Sequence, residues 1–263
     1  MADCKQTPLL REDVDGIATL TLNRGDKFNA LSGNLMTRMQ AELDSIAEDR
    51  SVRVVIIAGA GTAFCAGHDL GEMRANPSSK AMQRLFQQCS KMMVSLTRIP
   101  QPVIASVHGM ATAAGCQLVA QCDLAIASEH ATFATSGINV GLFCSTPMVA
   151  VTRNLPRKQA MELLMTGDFI DADTAHQYGL VNRVVPTNLL SDAVNQLAAN
   201  LARKSPVSIA RGKALFYRQI EAGIEAAYED AAKVITENMQ DKDTRAGIEA
   251  FIEKRPMPVW EDR

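Results

Sequence analysis

One stretch of the chain, residues 103–127, is nearly free of charge and rich in small apolar side chains. Its length would suit a membrane span, but four polar side chains interrupt it: His108, Gln117, Gln121 and Asp123. Each of them is costly in hydrocarbon, so the stretch predicts a buried part of a globular core rather than a membrane segment. It divides into a strand ("PVIASVHG"), a small-residue helix from about Thr112, and a second strand ("DLAIAS").

The chain before and after this stretch alternates between strand and helix patterns. Residues 16–24 alternate β-branched and small side chains, as a half-buried strand does. A helix is predicted from Ser32, a favoured N-cap, and residues 54–58 form the continuous apolar run of a strand buried on both faces. From about Leu189 to residue 251 the pattern is helical. This order predicts an α/β first part followed by an all-helical tail.

Composition narrows the class of protein. The chain has 263 residues, of which 47% are hydrophobic and 21% charged, and this is ordinary globular composition. A net charge of −2 gives no reason to expect nucleic acid or an anionic membrane as a partner. The six cysteines are scattered, which indicates reduced, intracellular thiols. Because no secretory signal is visible, we expect a cytoplasmic protein, or one of the mitochondrial matrix if the source is eukaryotic.

Several familiar motifs are absent or incomplete. The glycines of "GAGTAF" follow a strand, but Phe64 stands where a dinucleotide fingerprint has its third glycine, so a nicotinamide or flavin site is not expected. There is no G-x-S-x-G elbow and no phosphate-binding P-loop. The four histidines lack the spacing of metal ligands, and we expect no metal: His68, His108, His130 and His176.

Two segments carry a pattern with chemical meaning. In residues 63–73 a strand ends among small residues and a glycine, which allow a tight turn that presents free N–H groups. In residues 108–118 a strand ends where a helix begins, so the N–H groups of the first helical turn lack partners within the helix. Two such donors that converge on one point would form an oxyanion hole. Close packing of small residues is the alternative interpretation of both segments.

The motifs together resemble a known family. They are "LNRGDKFNALSGNLM", "FCAGHDLGEM", "GMATAAGCQLVAQCDLAIASEHATFA", "VGLF", "LLMTGDFIDADTAHQYGLVNRVVP" and "GIEAFIEKRPMPVW", and they extend over residues 16–260. This set resembles the enoyl-CoA hydratase/isomerase, or crotonase, superfamily. The resemblance implies an α/β fold, a crotonase-like spiral of ββα units with a helical C-terminal trimerisation region. The spiral acyl-CoA-binding core would span residues 1–200 and the helical oligomerisation region residues 201–263, in a homotrimer or a hexamer.

The resemblance also implies an activity and a site. The substrates would be acyl-CoA thioesters, with coenzyme A as part of the substrate and no separate cofactor. The backbone N–H groups of His68 and Ala114 would form the oxyanion hole that stabilises a thioester enolate. A further set of residues would border the acyl pocket or contact coenzyme A, the last two in the same or a neighbouring subunit: Lys27, Ala66, Asp69, Leu70, Gly137, Phe251 and Lys254.

The chain departs from the family pattern at both acid/base positions. Hydratases of this family carry two glutamates, and this chain has Gln117 and Gly137 at those places. An amide cannot exchange a proton usefully near neutral pH, so hydration by a glutamate pair is not expected, and Gln117 as a candidate catalytic residue could only hold water or substrate by hydrogen bonds. Cys144 would be a substitute proton carrier if its thiol were activated, and a buried, inert cysteine is the alternative. The imidazole of His68 and the carboxylate of Glu72 are further candidates, although Glu72 is expected to face solvent.

Three hypotheses about function therefore stay open. The first is an acyl-CoA enzyme of the hydratase/isomerase family, of lyase or isomerase type in fatty acid metabolism, whose acid and base are unassigned. The second is an acyl-CoA-binding protein without catalysis. The third is a decarboxylase or thioester hydrolase that uses the same oxyanion hole.

Overall fold

The computed structural model describes residues 7–260. Its strands follow one another along the chain as β1 (Leu9–Val14), β2 (Ile17–Leu22), β3 (Val54–Gly59), β4 (Ala63–Cys65), β5 (Val103–Val107), β6 (Met110–Thr112), β7 (Leu124–Ser128), β8 (Thr132–Ala134), β9 (Ile170–Asp171) and β10 (Arg183–Val185). The helices are α1 (Gly33–Glu48), α2 (Leu70–Ala75), α3 (Ser79–Arg98), α4 (Ala114–Gln121), α5 (Ser145–Val151), α6 (Arg157–Thr166), α7 (Ala172–Gln177), α8 (Leu190–Ala202), α9 (Pro206–Gln219), α10 (Ile224–Asn238) and α11 (Lys242–Ile252).

The strands form two sheets. The larger has the order β1-β2-β3-β5-β7-β10 and the smaller the order β4-β6-β8-β9. All pairs are parallel except β1 with β2 and β8 with β9. Three successive strand pairs, β3–β4, β5–β6 and β7–β8, each give one strand to each sheet and are each followed by a helix. The chain therefore advances as a spiral of ββα units, and the predicted α/β class is confirmed.

The core lies between the sheets and the helices that cover them. The central strands of the larger sheet, β3, β5 and β7, are largely buried on both faces, and β3 is fully buried from Val54 to Ile57. On one face, α1 and α3 pack their apolar sides, with Leu35, Met39 and Met92 buried. On the other face, α8 covers a smaller cluster around Ile56 and Val194. Strands covered on both faces are what the continuous apolar runs predicted.

Most predicted elements are confirmed. The apolar stretch at residues 103–127 forms β5, α4 and β7, and Ser32 caps α1 by accepting a hydrogen bond from the N–H of Leu35. The short strands of the smaller sheet were not predicted. Each has two or three residues, too few for a period of two to show.

The helical tail predicted from about Leu189 is present as α8, α9, α10 and α11. The predicted boundary at residue 200 falls in the last turn of α8, which packs on the larger sheet, and the division into two domains stays a prediction. Helices α9 to α11 leave several large apolar side chains exposed, among them Phe216, Tyr228 and Phe251. Their exposure fits the expected assembly, which stays a prediction. None of the helices within residues 7–260 is long and apolar enough to cross a membrane.

Candidate active site

A mostly apolar cavity of about 250 Å³ lies where three segments of the chain meet. The first segment joins β4 to α2, the second joins β6 to α4, and the third joins β8 to α5; α3 contributes one aromatic side chain. The lining residues are Ala66, His68, Leu70, Met73, Phe86, Ala113, Ala114, Ser136, Gly137, Val140, Leu142, Phe143, Cys144, Ser145, Thr146 and Pro147. The two segments singled out from the sequence thus lie at one cavity.

The first wall is held by the loop that follows β2. The N–H of Ala66 donates to the carbonyl of Phe28 at 2.9 Å, and the N–H of Leu31 donates to the carbonyl of Gly67 at 2.7 Å. The guanidinium of Arg24 donates to the carboxylate of Asp69 at 2.9 Å. These bonds fix residues 66–69 against the loop, so the N–H of His68 has a defined direction.

Asp69 holds the end of this wall. Its carboxylate accepts hydrogen bonds from the N–H groups of Gly71 and Glu72, which makes it the N-cap of α2. Burial acts to raise the pKa of Asp69, but the bonds from Arg24 and from the helix outweigh it and hold the pKa below its ordinary value. Asp69 borders the cavity without lining it.

The second wall depends on backbone conformations that are uncommon outside glycine. Ala113, directly before α4, has a φ of 51° and a ψ of −118°. Such strain concentrates at functional sites. A Cβ on Gly115 would stand 2.0 Å from the carbonyl oxygen of Cys65, so only glycine allows α4 to approach β4 this closely. The two walls touch, because a Cβ on Gly67 (φ 90°) would stand 3.2 Å from the nitrogen of Ala114.

Two backbone N–H groups at this contact have no partner in the described part of the chain. Among residues 7–260, no acceptor takes a hydrogen bond from the N–H of His68 or from that of Ala114. Ala114 is the first residue of α4, where the helix itself offers no acceptor. Both residues line the cavity. An oxygen atom bearing developing negative charge would find two donors here.

The imidazole of His68 lies in the cavity wall. Its ring meets that of Phe86 edge to face, with the centroids 5.3 Å apart. Its Nε2 is buried, and no group in the described part of the chain bonds to it. Burial lowers the pKa of His68 to about 4, so the ring is neutral at physiological pH.

The third wall is closed tightly around Gly137. The N–H of Leu142 donates to the carbonyl of Gly137 at 2.9 Å. A Cβ on Gly137 would stand 2.5 Å from the carbonyl oxygen of Leu142 and 2.9 Å from the Sγ of Cys144. Burial raises the pKa of the Cys144 thiol, so the thiol is protonated and is not an activated nucleophile.

The structure brings together some of the predicted residues and not others. Those that line the cavity are His68, Ala114, Ala66, Leu70, Gly137 and Cys144. Gln117 lies one turn further along α4, buried, with an Oε1 that no described residue bonds to. Lys27 is exposed on the loop that braces Ala66. Phe251 and Lys254, at the end of α11, are exposed and do not line this cavity.

Other lining residues were not found from the sequence. Met73, Phe86 and Ser136 are ordinary helix or turn residues in the sequence, and only the fold carries them to the cavity. The run "VGLF", residues 140–143, gave a weak signal, because apolar side chains rarely follow one another so closely in an exposed turn. Glu72 does not reach the cavity, since its carboxylate accepts the N–H of Gly33 at 2.8 Å. Within residues 7–260 no cluster of side chains is suited to hold a metal ion.

Comparison with known proteins identifies the family. Residues 12–263 match the family model described as enoyl-CoA hydratase/isomerase, and the chain belongs to this family. The crystal structure of an enoyl-CoA hydratase from Mycobacterium smegmatis superposes with a TM-score of 0.95 at 52% identity, covering 97% of this chain and 99% of that one. The predicted crotonase-like fold is thereby confirmed.

Two further relatives are similar to the chain over most of its length. The structure of human enoyl coenzyme A hydratase domain-containing protein 3 superposes with a TM-score of 0.93 at 41% identity, covering 96% of this chain and 100% of that one. Mitochondrial enoyl-CoA hydratase domain-containing protein 3 of Xenopus laevis is 43% identical over 257 residues, which are 97% of this chain and 87% of the relative.

Proposed function

We propose that the chain binds acyl-CoA thioesters and stabilises a thioester enolate between the N–H groups of His68 and Ala114. The observation that supports this is the pair of unpartnered backbone donors in the wall of one apolar cavity. The thioester oxygen would lie between them, and the acyl chain would lie among Leu70, Phe86 and Phe143. Donors fixed before the reaction begins need no reorganisation when charge develops, and one such donor contributes about 2.7–4 kcal/mol to transition-state stabilisation.

The coenzyme A part of the bound thioester would extend from the cavity to the surface past Ala66 and Leu70. Leu70 is 59% exposed, so it lies at the surface end of this path. Lys27 would meet the phosphates or adenine of coenzyme A, because it is exposed on the loop that is bonded to Ala66. Phe251 and Lys254 do not line the cavity of their own subunit, and we propose that they contact coenzyme A bound to a neighbouring subunit of a trimer or hexamer.

The chemistry differs from hydration by two glutamates. Gln117 and Gly137 supply no carboxylate, and Gly137 cannot be replaced by glutamate without displacing the backbone of Leu142. We therefore expect Gly137→Glu to leave the protein unable to hydrate crotonyl-CoA and to lower its melting temperature. A stable Gly137→Glu variant that hydrates crotonyl-CoA would contradict this account of the loop.

Calorimetric titration with butyryl-CoA tests the proposed function. We expect saturable binding by the full-length protein and weaker binding by Leu70→Asp, which places a charge on the apolar path. Leu189→Asp is a matched control, because Leu189 is a similarly exposed leucine away from the cavity. No detectable binding of butyryl-CoA or of longer acyl-CoA thioesters would end the proposal.

A second candidate function is acyl-CoA binding without catalysis. The buried, protonated thiol of Cys144 and the neutral imidazole of His68 favour it, because neither is a strong base. Turnover of any acyl-CoA that disappears when the N–H of Ala114 is removed would exclude it. The compartment also stays a proposal, with the cytoplasm and the mitochondrial matrix as the two candidates.

A further inference from the structure

A second cavity, of about 120 Å³, shares no lining residue with the candidate active site. It lies where the tail helix α9 meets the core, between the connections that join α1 to β3, α3 to β5 and α8 to α9. Apolar side chains form much of its wall, among them Val52, Pro102, Leu201 and Ile209. A cavity that holds one water molecule measures about 10–15 Å³, so this one has room for a small organic molecule.

The charged side chains that line this cavity are all cationic: Arg50, Arg53 and Lys204. The guanidinium of Arg53 donates to the carbonyl of Lys204 at 2.6 Å, which holds it in the wall. Among residues 7–260, the side chains of Arg50 and Lys204 have no ion-pair or hydrogen-bond partner. The carboxylate of Asp49, in the adjoining turn, is engaged by the N–H and hydroxyl of Ser51. The cavity therefore favours an anion.

The cavity also lies at the N-terminus of α9, a helix of 14 residues. Ser205 caps this helix by accepting a hydrogen bond from the N–H of Ser208, and its carbonyl accepts from the N–H of Ile209. In the described part of the chain, no acceptor takes the N–H of Val207, a residue that lines the cavity. A free N–H group at a helix N-terminus, next to two unpaired cations, suits the carboxylate of a ligand.

Gln101 adds a buried acceptor to the same cavity. It lines the wall and is 6% exposed. Its Nε2 donates to the carbonyl of Ile46 at 2.7 Å and lies 3.4 Å from the carbonyls of Asp49 and Val52, which fixes the orientation of the amide. Its Oε1 accepts from no described residue. Because a buried acceptor without a partner is costly, a ligand with an O–H group would supply the missing donor.

We propose that this cavity binds short hydroxycarboxylates, aliphatic acids of about four or five carbons that carry one hydroxyl group. The carboxylate, ionised at neutral pH, lies at Arg50, Lys204 and the N–H of Val207. The hydroxyl group donates to the Oε1 of Gln101, and the carbon chain packs on apolar wall residues such as Leu201. The ligand thereby joins α9 to the core. This site is separate from the proposed oxyanion hole and does not depend on it.

Titration of the full-length protein with (R)- and (S)-3-hydroxybutyrate, followed by NMR of the ligand, tests the proposal. We expect saturable binding of at least one enantiomer, one molecule per chain, and a higher melting temperature at saturation. Two matched probes each remove one feature, because butyrate lacks the hydroxyl group and 3-hydroxybutyramide lacks the charge. Each should bind about five- to tenfold more weakly.

Variants locate the binding. Arg50→Gln and Lys204→Gln change exposed side chains, so the fold should persist, and each should lower the affinity about three- to tenfold. Lys158→Gln is the control, since Lys158 is an exposed lysine on α6 that does not line the cavity. Saturating butyryl-CoA should leave the binding of 3-hydroxybutyrate unchanged, because the two cavities share no residue.

Four outcomes would overturn the inference. They are no saturable binding of either enantiomer, equal binding of butyrate, displacement of the ligand by butyryl-CoA, and unchanged affinity in both Arg50→Gln and Lys204→Gln. Binding of butyryl-CoA is measured separately, so a failure here leaves the proposed function standing.

Discussion

Two buried regions among residues 7–260 differ in how far their polar groups are hydrogen-bonded. In the first, which we call the ion cluster, Asp123 accepts from the ammonium of Lys213 at 2.6 Å, from the hydroxyl of Tyr217 at 2.7 Å and from the N–H of Val103 at 2.7 Å. In the second, the cavity, the imidazole of His68 has no partner for Nε2 among the described residues. Buried polar groups that all have hydrogen-bond partners stabilise the fold, whereas buried polar groups without partners indicate a place where a ligand would bind.

The ion cluster ties the helical tail to the sheet. Lys213 and Tyr217 lie on α9, while Asp123 precedes β7, and Lys213 also donates to the carbonyls of Leu96 and Gln101. Desolvation lowers the pKa of Lys213, although the carboxylate of Asp123 opposes that change. Because the ammonium of Lys213 and the hydroxyl of Tyr217 already donate to partners within the protein, the ion cluster has no free donor for a substrate.

The largest effect is expected from breaking the ion cluster. Lys213→Met removes a cation whose side chain is 7% exposed and leaves the carboxylate of Asp123 without its ion partner. We expect a loss of about 3–5 kcal/mol in the free energy of unfolding, measured by denaturant titration.

A matched variant on the same helix is the control. Arg218→Met breaks the exposed pair with Asp230 and should change stability little. Butyryl-CoA affinity of folded Lys213→Met should match that of wild type, because the cluster and the cavity are separate. Equal stability losses in the two variants would contradict the claim that the buried ion pair contributes more to stability than the exposed pair.

A smaller effect is expected where the cavity depends on a close backbone approach. Gly115→Ala would force a Cβ against the carbonyl oxygen of Cys65 and displace the start of α4. We expect a loss of about 1–3 kcal/mol in stability, together with weaker binding of acyl-CoA. Gly212→Ala is the control, since no heavy atom lies within 4 Å of its Cβ position on α9. It should stabilise the protein by up to about 1 kcal/mol, and equal responses would contradict the packing argument.

The last effect appears only when the pH falls below about 6.5. Because burial lowers the pKa of His68 to about 4, the unfolded chain binds more protons than the folded one between pH 4 and the ordinary histidine pKa of about 6.5. The contribution of His68 to stability is complete above about pH 6.5 and is lost as the pH falls towards 4, by up to about 1.4 kcal/mol per pH unit.

Denaturant titrations between pH 7 and pH 5 measure this slope. His68→Gln should flatten it, whereas His130→Gln should not, because the side chain of His130 is 79% exposed. An unchanged slope in His68→Gln would show that the imidazole is not held neutral by burial.

Much of the fold could be predicted from periodicity. The apolar stretch at residues 103–127 was correctly predicted to form a strand, a helix and a second strand. Its four polar side chains exclude a membrane span, so the stretch had to be divided among buried elements of the core. The two cavity segments with free N–H groups could be predicted because each joins the end of a strand to small residues. Their role as an oxyanion hole stays a proposal.

The rest of the site depends on contacts between distant parts of the chain. That Phe86 faces His68 follows from how α3 packs and not from any local pattern. Gly137 looked like a missing glutamate in the sequence, whereas the structure shows that the carbonyl of Leu142 leaves no room for a Cβ there. The engagement of Asp69 by Arg24, 45 residues earlier, was equally hidden.

The central claim is that the N–H groups of His68 and Ala114 form an oxyanion hole. Acetoacetyl-CoA tests it without turnover, because its enolate absorbs at longer wavelength than its keto form. The account predicts that wild type and Ala114→Gly bind the enolate, with its absorbance band, and that Ala114→Pro binds it about 10²- to 10³-fold more weakly while staying folded. Equal affinity and an equal enolate band in the folded proline variant would contradict the claim.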